Sequence, residues 1–441
     1  MDLLKSIFKG DKVIWIIFLC LCLISIVEVF SAASTLTYKS GDHWGPITQH
    51  SIILMVGAVV VVFLHNVPYK WFQVFPVFLY PISLVLLAFV TLMGIITGDR
   101  VNGAARWMTF MGLQFQPSEL AKMAVIIAVS FILSKRQDEY GANPNAFKYI
   151  MILTGLVFLL IAPENLSTAM LLFGVVCMMM FIGRVSSQKL FGMLGIMVLL
   201  GGVAVGILMA IPAKTLHNTP GLHRFETWQN RVSGFFEKEE VPAAKFDIDK
   251  DAQIAHARIA VATSNVVGKG PGNSVQRDFL SQAFSDFIFA IVIEEMGLIG
   301  GIFVVFLYLC LLYREGKIAQ KCERTFPAFL VMGIALLLVS QAILNMMVAV
   351  GLFPVTGQPL PLVSKGGTST LINCAYIGMI LSVSRYTAHM QELKEHDTQV
   401  QLQIATDAAA NSEAQTAAEP TAPILNSDAK FEDENDINKN S

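Results

Sequence analysis

The chain has 441 residues, of which 54% are hydrophobic and 15% charged, with a mean hydropathy of +0.59 and a formal net charge of -2. That balance is too apolar for a soluble globular protein and marks a membrane protein. The slight negative charge argues against a polyanion-binding role, nucleic acid included, although a local basic surface is compatible with it.

Apolar runs of roughly 17 to 25 residues recur near residues 13–33, 49–66, 74–97, 118–134, 148–163, 167–183, 190–212, 285–313, 326–352 and 366–387. Each must be helical, because lipid offers no partner for backbone N–H and C=O groups. The expected fold class is therefore all-α: a polytopic membrane protein of about ten transmembrane helices, with residues 1–12 preceding a bundle over 13–388 and a tail over 389–441 following it. The first run has Lys5, Lys9 and Lys12 before it and ends in "SAAS", similar to a signal-peptide cleavage site; with so many spans after it, it reads as a retained first helix. Cys20, Cys22, Cys177, Cys310 and Cys374 lie in the runs and Cys322 between them, so no disulfide framework is implied.

Pro117 and Ser118 open the fourth run, with Glu119 in its first turn, where the helix macrodipole favours an acid. Lys122 follows three residues later on the same face. Between the seventh and eighth runs lies a large loop, 213–284, whose few apolar side chains cannot form a core, so it must lean on the bundle. Within it "DKDAQIAHARIAVATSN" reads as an amphipathic helix, with Asp249 or Asp251 as N-cap and Ile254, Ala257 and Val261 on one face. The "GKGPG" that follows supplies N–H groups able to cradle a phosphate, helped by Lys269; with no strand before it, a plain turn is the simpler reading. Arg224 and Arg231, seven residues apart, are candidates to clamp an anionic head group, or else ordinary solvated arginines.

The eighth run opens "SDFIFAIVIEE", with Asp286 at its mouth and Glu294 and Glu295 inside, Glu294 about 12 Å along the helix axis. Ionisable groups in spans point to function because they are costly in lipid. The plainer alternatives are mutual neutralisation of Glu119 and Lys122, helix capping by Asp286, and structural pairing of Glu294 and Glu295. On a helical wheel Glu295 falls nearly opposite Asp286, which disfavours a two-carboxylate site on one face. From about residue 395 the composition shifts to Ala, Gln, Thr, Asp, Glu and Asn, the signature of a disordered tail.

Lys and Arg gather in one set of short loops, at Lys70, Lys135, Arg136, Lys148, Arg184, Lys189, Arg314, Lys317, Lys321 and Arg324. That side is expected to be cytoplasmic, with both termini inside and Asp286 and the large loop outside. Zinc-type histidine spacing, a G-x-S-x-G elbow and a dinucleotide fingerprint are all missing, so metal hydrolysis, serine hydrolysis and hydride transfer lack support.

"NGAARWM", "QPSELAK", "GKGPGNSVQ", "SDFIFAIVIEEMGLIGG" and "GLFPVTGQPLPLVSKGGTS", in that order, resemble the motifs of the SEDS family of FtsW, RodA and SpoVE over roughly residues 13–388. The resemblance implies a peptidoglycan glycosyltransferase that polymerises lipid II, an undecaprenyl-pyrophosphate disaccharide-peptide, on the outer face of the bacterial cytoplasmic membrane. It makes Asp286 the catalytic carboxylate, Glu119 and Lys122 the charged pair near it, and Arg106 the arginine of the external loop. It implies a class B penicillin-binding protein of the FtsI type as partner, together with divisome proteins and membrane lipid. "GNSVQ" looks more like FtsW than RodA, which points to the septum.

Three departures stand out. The family's "HTDFIFA" reads "FSDFIFA", with Phe284 for histidine; "QPDLGT" reads "APENLST", where Glu164 stands in for aspartate; and "YGG" reads "KGG" at Lys365.

On this reading Asp286 is the base that takes a proton from a sugar hydroxyl, and Lys122, Arg106, Arg224 or Arg231 hold the pyrophosphate. Glu164, Lys269 and Lys365 complete the expected substrate contacts. A divalent cation, Mg or Mn, on Asp286 suits the oxygen-rich ligands. The lipid tails call for a groove between helices lined from the third, seventh or ninth span. Two alternatives stay open: a lipid II flippase, which needs polar groups through the membrane and finds them in Glu294 and Glu295, and a non-catalytic scaffold for the penicillin-binding protein.

Overall fold

The computed structural model describes residues 9–32, 44–96, 106–110, 113–138, 141–211, 229, 251–280 and 284–417. The apolar runs are all helices: α1 (Lys12–Ala32), α2 (Gly45–Asn66), α3 (Phe75–Ile96), α4 (Pro117–Lys135), α5 (Pro144–Ile161), α6 (Leu166–Ile182), α7 (Ser187–Ala210), α9 (Ile288–Lys321), α10 (Thr325–Ala349) and α11 (Gly367–Ala417). Among the described residues nine of these are long and apolar enough to cross a membrane, and α6, with 17 residues, is a shorter apolar helix. The helix expected in the large loop is α8 (Asp251–Ala262), which buries Ala257 and Ala260 and packs on α9. Two small antiparallel hairpins add β1 (Met108–Phe110) with β2 (Leu113–Phe115), and β3 (Gln137–Asp138) with β4 (Gly141–Ala142).

Local chemistry sets several helix starts. Pro117 and Pro144 take the first turns of α4 and α5, where a missing N–H costs nothing. Asn143 caps α5 by accepting from the Asn145 N–H (3.0 Å), and Asn165 caps α6 by accepting from the Thr168 N–H (3.2 Å).

The centre of the first compact unit, Met1–Ala388, is built on α4, α9 and α10. Val125, Ile126, Ile127 and Val129 of α4 are fully buried. By contrast α7 exposes Phe191, Ile196, Leu199, Val203 and Ile207. An apolar surface of that kind suits a helix whose solvent is hydrocarbon.

The eighth run is not one straight helix. At Gly297 the backbone turns left-handed (φ 71°, ψ −175°). The loop after α8 bonds to the groups freed there: Lys269 N donates to Glu294 O (3.0 Å), Gly270 N to Glu295 O (2.8 Å), Leu298 N to Asn265 O (3.2 Å) and Ile299 N to Val266 O (3.3 Å). A broken span needs such partners. Gly268 and Gly297 face each other so closely that a Cβ on either would overlap the other's backbone. The described part of the large loop, 251–280, thus leans on the bundle, as the loop's composition requires.

The second compact unit is His389–Ser441. The stretch expected to be disordered from 389 is helical as far as Ala417, and the side chains described beyond Met390 are all exposed. Residues 391–417 contain neither Gly nor Pro and are rich in Ala, Gln and Glu, so helix propensity wins locally over the low hydrophobicity that suggested disorder.

Candidate active site

The segment 351–366, between α10 and α11, is non-helical, and its second half is deeply buried: Gln358, Leu360, Leu362, Val363 and Ser364 are each 3% exposed or less. Its prolines and glycines bar a helix, so its carbonyls need partners from the surrounding spans. They have them. Asn345 Nδ2 donates to Gln358 O (2.7 Å), Gln341 Nε2 to Pro359 O (2.9 Å), Tyr308 OH to Pro361 O and Ser25 Oγ to Val363 O (2.7 Å). Gln358 Nε2 itself donates to Thr168 Oγ1 of α6 (2.5 Å). One segment thereby bonds to α1, α6, α9 and α10. Leu362 sits at φ 65°, a conformation that these anchors hold.

This segment fixes Asp286. Asn345 Nδ2 also donates to the Asp286 carbonyl (2.9 Å), Ser364 Oγ donates to Ser285 O (2.6 Å), and Lys365 N donates to Phe284 O (2.9 Å). The half-buried Asp286 carboxylate accepts from Ser285 Oγ at Oδ1 (3.0 Å). A methyl group placed on Gly357 would lie 3.6 Å from Asp286 Oδ2 and 3.6 Å from Arg106 Nη1. An acid and a guanidinium from distant parts of the chain therefore converge over one glycine. Gly357 has φ +70°, which favours glycine in its own right. Arg106 is steadied by donating from Nε to the Glu164 carbonyl (2.8 Å).

Glu119 and Lys122 form an ion pair of 2.8 Å that is almost wholly enclosed, and Lys122 Nζ also donates to Gln341 Oε1 (2.8 Å). Through Gln341 the pair is tied to Pro359, and so to the segment that carries Gly357. Lys365 is half-buried, its ammonium 5.5 Å over the centroid of the Phe284 ring, and burial holds its pKa below the ordinary lysine value. Two of the three departures noted in the sequence are thus in contact with each other.

Lys269 lies elsewhere, 2.6 Å from Glu294 Oε1. The Gly-rich turn does form an anion cradle, but its N–H groups hold the chain's own carboxylates. Val275 N (3.1 Å) and Gln276 N (3.3 Å) donate to Glu294, and Gly272 N (3.0 Å) and Ser274 N (3.2 Å) to Glu295, which also accepts from Ser31 Oγ of α1. Both acids are fully buried and serve the loop. Arg224 and Arg231 lie outside the described residues.

Among the described residues no three of His, Cys, Asp or Glu come together as a metal site. Among the described residues the divalent cation expected on Asp286 therefore finds no ready set of three protein ligands. A cleft lined by Leu87 and Val90 of α3 and Leu160 and Ile161 of α5 runs to Arg106 and Glu164. It uses the third span, one of those expected to line a lipid groove; the seventh and ninth do not line it.

Comparison with known proteins settles the family. The FtsW/RodA/SpoVE family, described as cell cycle proteins, matches residues 11–389. The chain belongs to that family. Among its FtsW/RodA/SpoVE relatives, a probable peptidoglycan glycosyltransferase FtsW of Geobacter sp. (strain M18) is 32% identical over 85% of this chain and 96% of its own. Stage V sporulation protein E of Bacillus subtilis (strain 168) is 29% identical over 86% of this chain and 98% of its own. Two solved structures share the fold at 23% identity. One is a chain from a peptidoglycan synthase complex studied for its coordination of polymerization and crosslinking, with a TM-score of 0.67 over 86% of this chain and 99% of the other. The second is the rod shape determining protein RodA of Thermus thermophilus, with a TM-score of 0.57 over 86% and 97%.

Proposed function

We infer that this protein is a peptidoglycan glycosyltransferase that polymerises lipid II, with Asp286 as general base. The observation that carries the assignment is the convergence of Asp286 Oδ2 and Arg106 Nη1 over Gly357. A sugar 4-hydroxyl gives its proton to the Asp286 carboxylate as its oxygen bonds to the anomeric carbon of a second lipid II; the bond from that carbon to the diphosphate breaks, and the diphosphate leaves with the electron pair. Arg106 supplies positive charge where the leaving oxygens become anionic. No second carboxylate is required, because diphosphate leaves without strong acid assistance.

Glu119 and Lys122 are positioning residues in this scheme, acting through Gln341 and Pro359 on the segment that holds Asp286. A bound Mg or Mn would neutralise charge on the leaving diphosphate; with Asp286 as its one protein carboxylate, it would draw its remaining oxygen ligands from the diphosphate and water. Glu294 and Glu295, which left a flippase open, are engaged by the loop and offer no free polar path. The setting is a bacterial cytoplasmic membrane with both termini inside and Asp286 outside, at the division septum, beside divisome proteins and a class B penicillin-binding protein.

The test is polymerisation of lipid II by the purified protein, with and without that partner, comparing wild type and Asp286→Asn. Loss of general-base catalysis is expected to lower the rate about 10²- to 10⁴-fold with folding and partner binding unchanged. Equal polymer from Asp286→Asn would remove Asp286 as base, and lipid translocation without polymer would favour the flippase.

A further inference from the structure

Lys365 stands apart among the cations near Asp286. Its backbone N–H is clamped to Phe284, and the Ser364 hydroxyl to Ser285, the two residues immediately before Asp286. Its ammonium lies over the Phe284 ring, and among the described residues no carboxylate comes within ion-pair reach of it. The ion pairs found among the described residues are made by Lys122, Lys269, Arg277 and Arg314. The imidazole of His50 in α2, which also feels the ammonium, is already bonded to Ser25.

A ring face attracts a cation but does not neutralise it. A half-buried ammonium without a counter-ion is a standing cost to the fold, and an uncharged side chain of the same length would cover the ring as well. Such a cost is met when an anionic ligand supplies the missing partner.

We propose that Lys365 is a seat for the diphosphate of a lipid-linked substrate or product, presented beside Asp286 by the Phe284 ring and separate from Arg106. The proposal rests on the polymerase reading for the identity of the anion. That diphosphate belongs either to the donor, whose anomeric bond breaks, or to the acceptor strand.

The experiment uses the full chain in nanodiscs, with Lys365→Met, Lys365→Arg and Asp286→Asn beside wild type. Binding of undecaprenyl diphosphate and of uncharged undecaprenol is measured without turnover, along with the melting temperature of the ligand-free protein. Removing one charge pair is expected to weaken diphosphate binding about tenfold or more, to leave undecaprenol binding unchanged, and to leave ligand-free Lys365→Met at least as stable as wild type. Arginine is expected to hold the diphosphate within about threefold of wild type, since it keeps the charge and the contact with the ring. In lipid II polymerisation, a fall in kcat with the rise in KM places the seat at the leaving diphosphate, and a rise in KM alone places it at the acceptor. Unchanged diphosphate affinity in Lys365→Met overturns the proposal, as does an equal loss for undecaprenol, which would mean a structural role. Polymer from Asp286→Asn would defeat the catalytic reading, and the binding measurements would still decide Lys365.

Discussion

Gly357 is the smallest residue of the site and the most exposed to test. Its φ of +70° is one that an L side chain adopts only with strain, about 1–2 kcal/mol. The contacts a methyl would make, 3.6 Å to Asp286 Oδ2 and to Arg106 Nη1, are ordinary van der Waals distances, so Gly357→Ala has room in the ligand-free protein. The same methyl would stand against both the carboxylate and the guanidinium, where on the proposed mechanism a sugar hydroxyl and a diphosphate have to meet. The variant is therefore expected to fold with a modest loss of stability while polymerisation falls by about tenfold or more, since misplacement of about 1 Å at a reacting centre is costly. Rates on lipid II set against melting temperature would check it; parallel losses in both would make Gly357 a matter of folding alone. Asp286, Glu119 and Lys122 were legible in the sequence because charges at the ends of apolar runs are conspicuous, and Arg106 only through the family resemblance of the loop that carries it. Ser25, Thr168, Tyr308, Gln341 and Asn345 were not. A single polar residue in an apolar span leaves no pattern of its own, and what these five share is a common target, the 358–364 carbonyls and side chains, visible only once the chain is folded.

At the scale of elements, hydropathy located the ten apolar helices because lipid permits a lone span no other structure. It missed the break in α9 because "EEMGLIGG" continues the apolar run on both sides of Gly297, and a straight helix accounts for that composition equally well. The signal that was present is the pair of fully buried acids just before the break together with the Gly-rich turn that binds them: each is awkward alone, and they are reconciled only by contact. Gly268 is the tightest point of that contact. A Cβ there meets the backbone of Glu295 and Gly297, neither of which has a flexible end that can move aside, and φ +82° adds strain. Gly268→Ala is expected to separate the loop from α9, expose the N–H groups that hold Glu294 and Glu295, and leave two buried carboxylates short of partners, a loss of several kcal/mol. Gly272→Ala is the control: its φ is also positive, but a Cβ there meets nothing within 4 Å, so its cost is confined to backbone strain. Thermal unfolding of the two variants in one detergent should show Gly268→Ala much the lower. Equal midpoints would mean that the loop and the broken helix can part without penalty.

For the whole molecule, the site is an assembly of chain segments far apart in sequence, with Arg106 before α4, Asp286 before α9 and Gly357 and Lys365 after α10, and all of it lies in the unit that ends at Ala388. The second unit contributes none of these groups, and its side chains described beyond Met390 are exposed, so that described stretch buries little apolar surface. Its low hydrophobicity was legible in the sequence; the helical continuation to Ala417 was not, because propensity and burial point in different directions there. Ending the chain after Ala388 is therefore expected to leave the melting temperature unchanged and lipid II polymerisation, with or without the transpeptidase, within about twofold of the full chain, a difference of less than 0.5 kcal/mol in barrier. The measurement is a side-by-side assay of the two proteins in the same nanodiscs. A truncated protein that keeps its melting temperature but loses polymerisation would show that the tail acts on the site, and the division of labour between the two units drawn from burial would have to be abandoned.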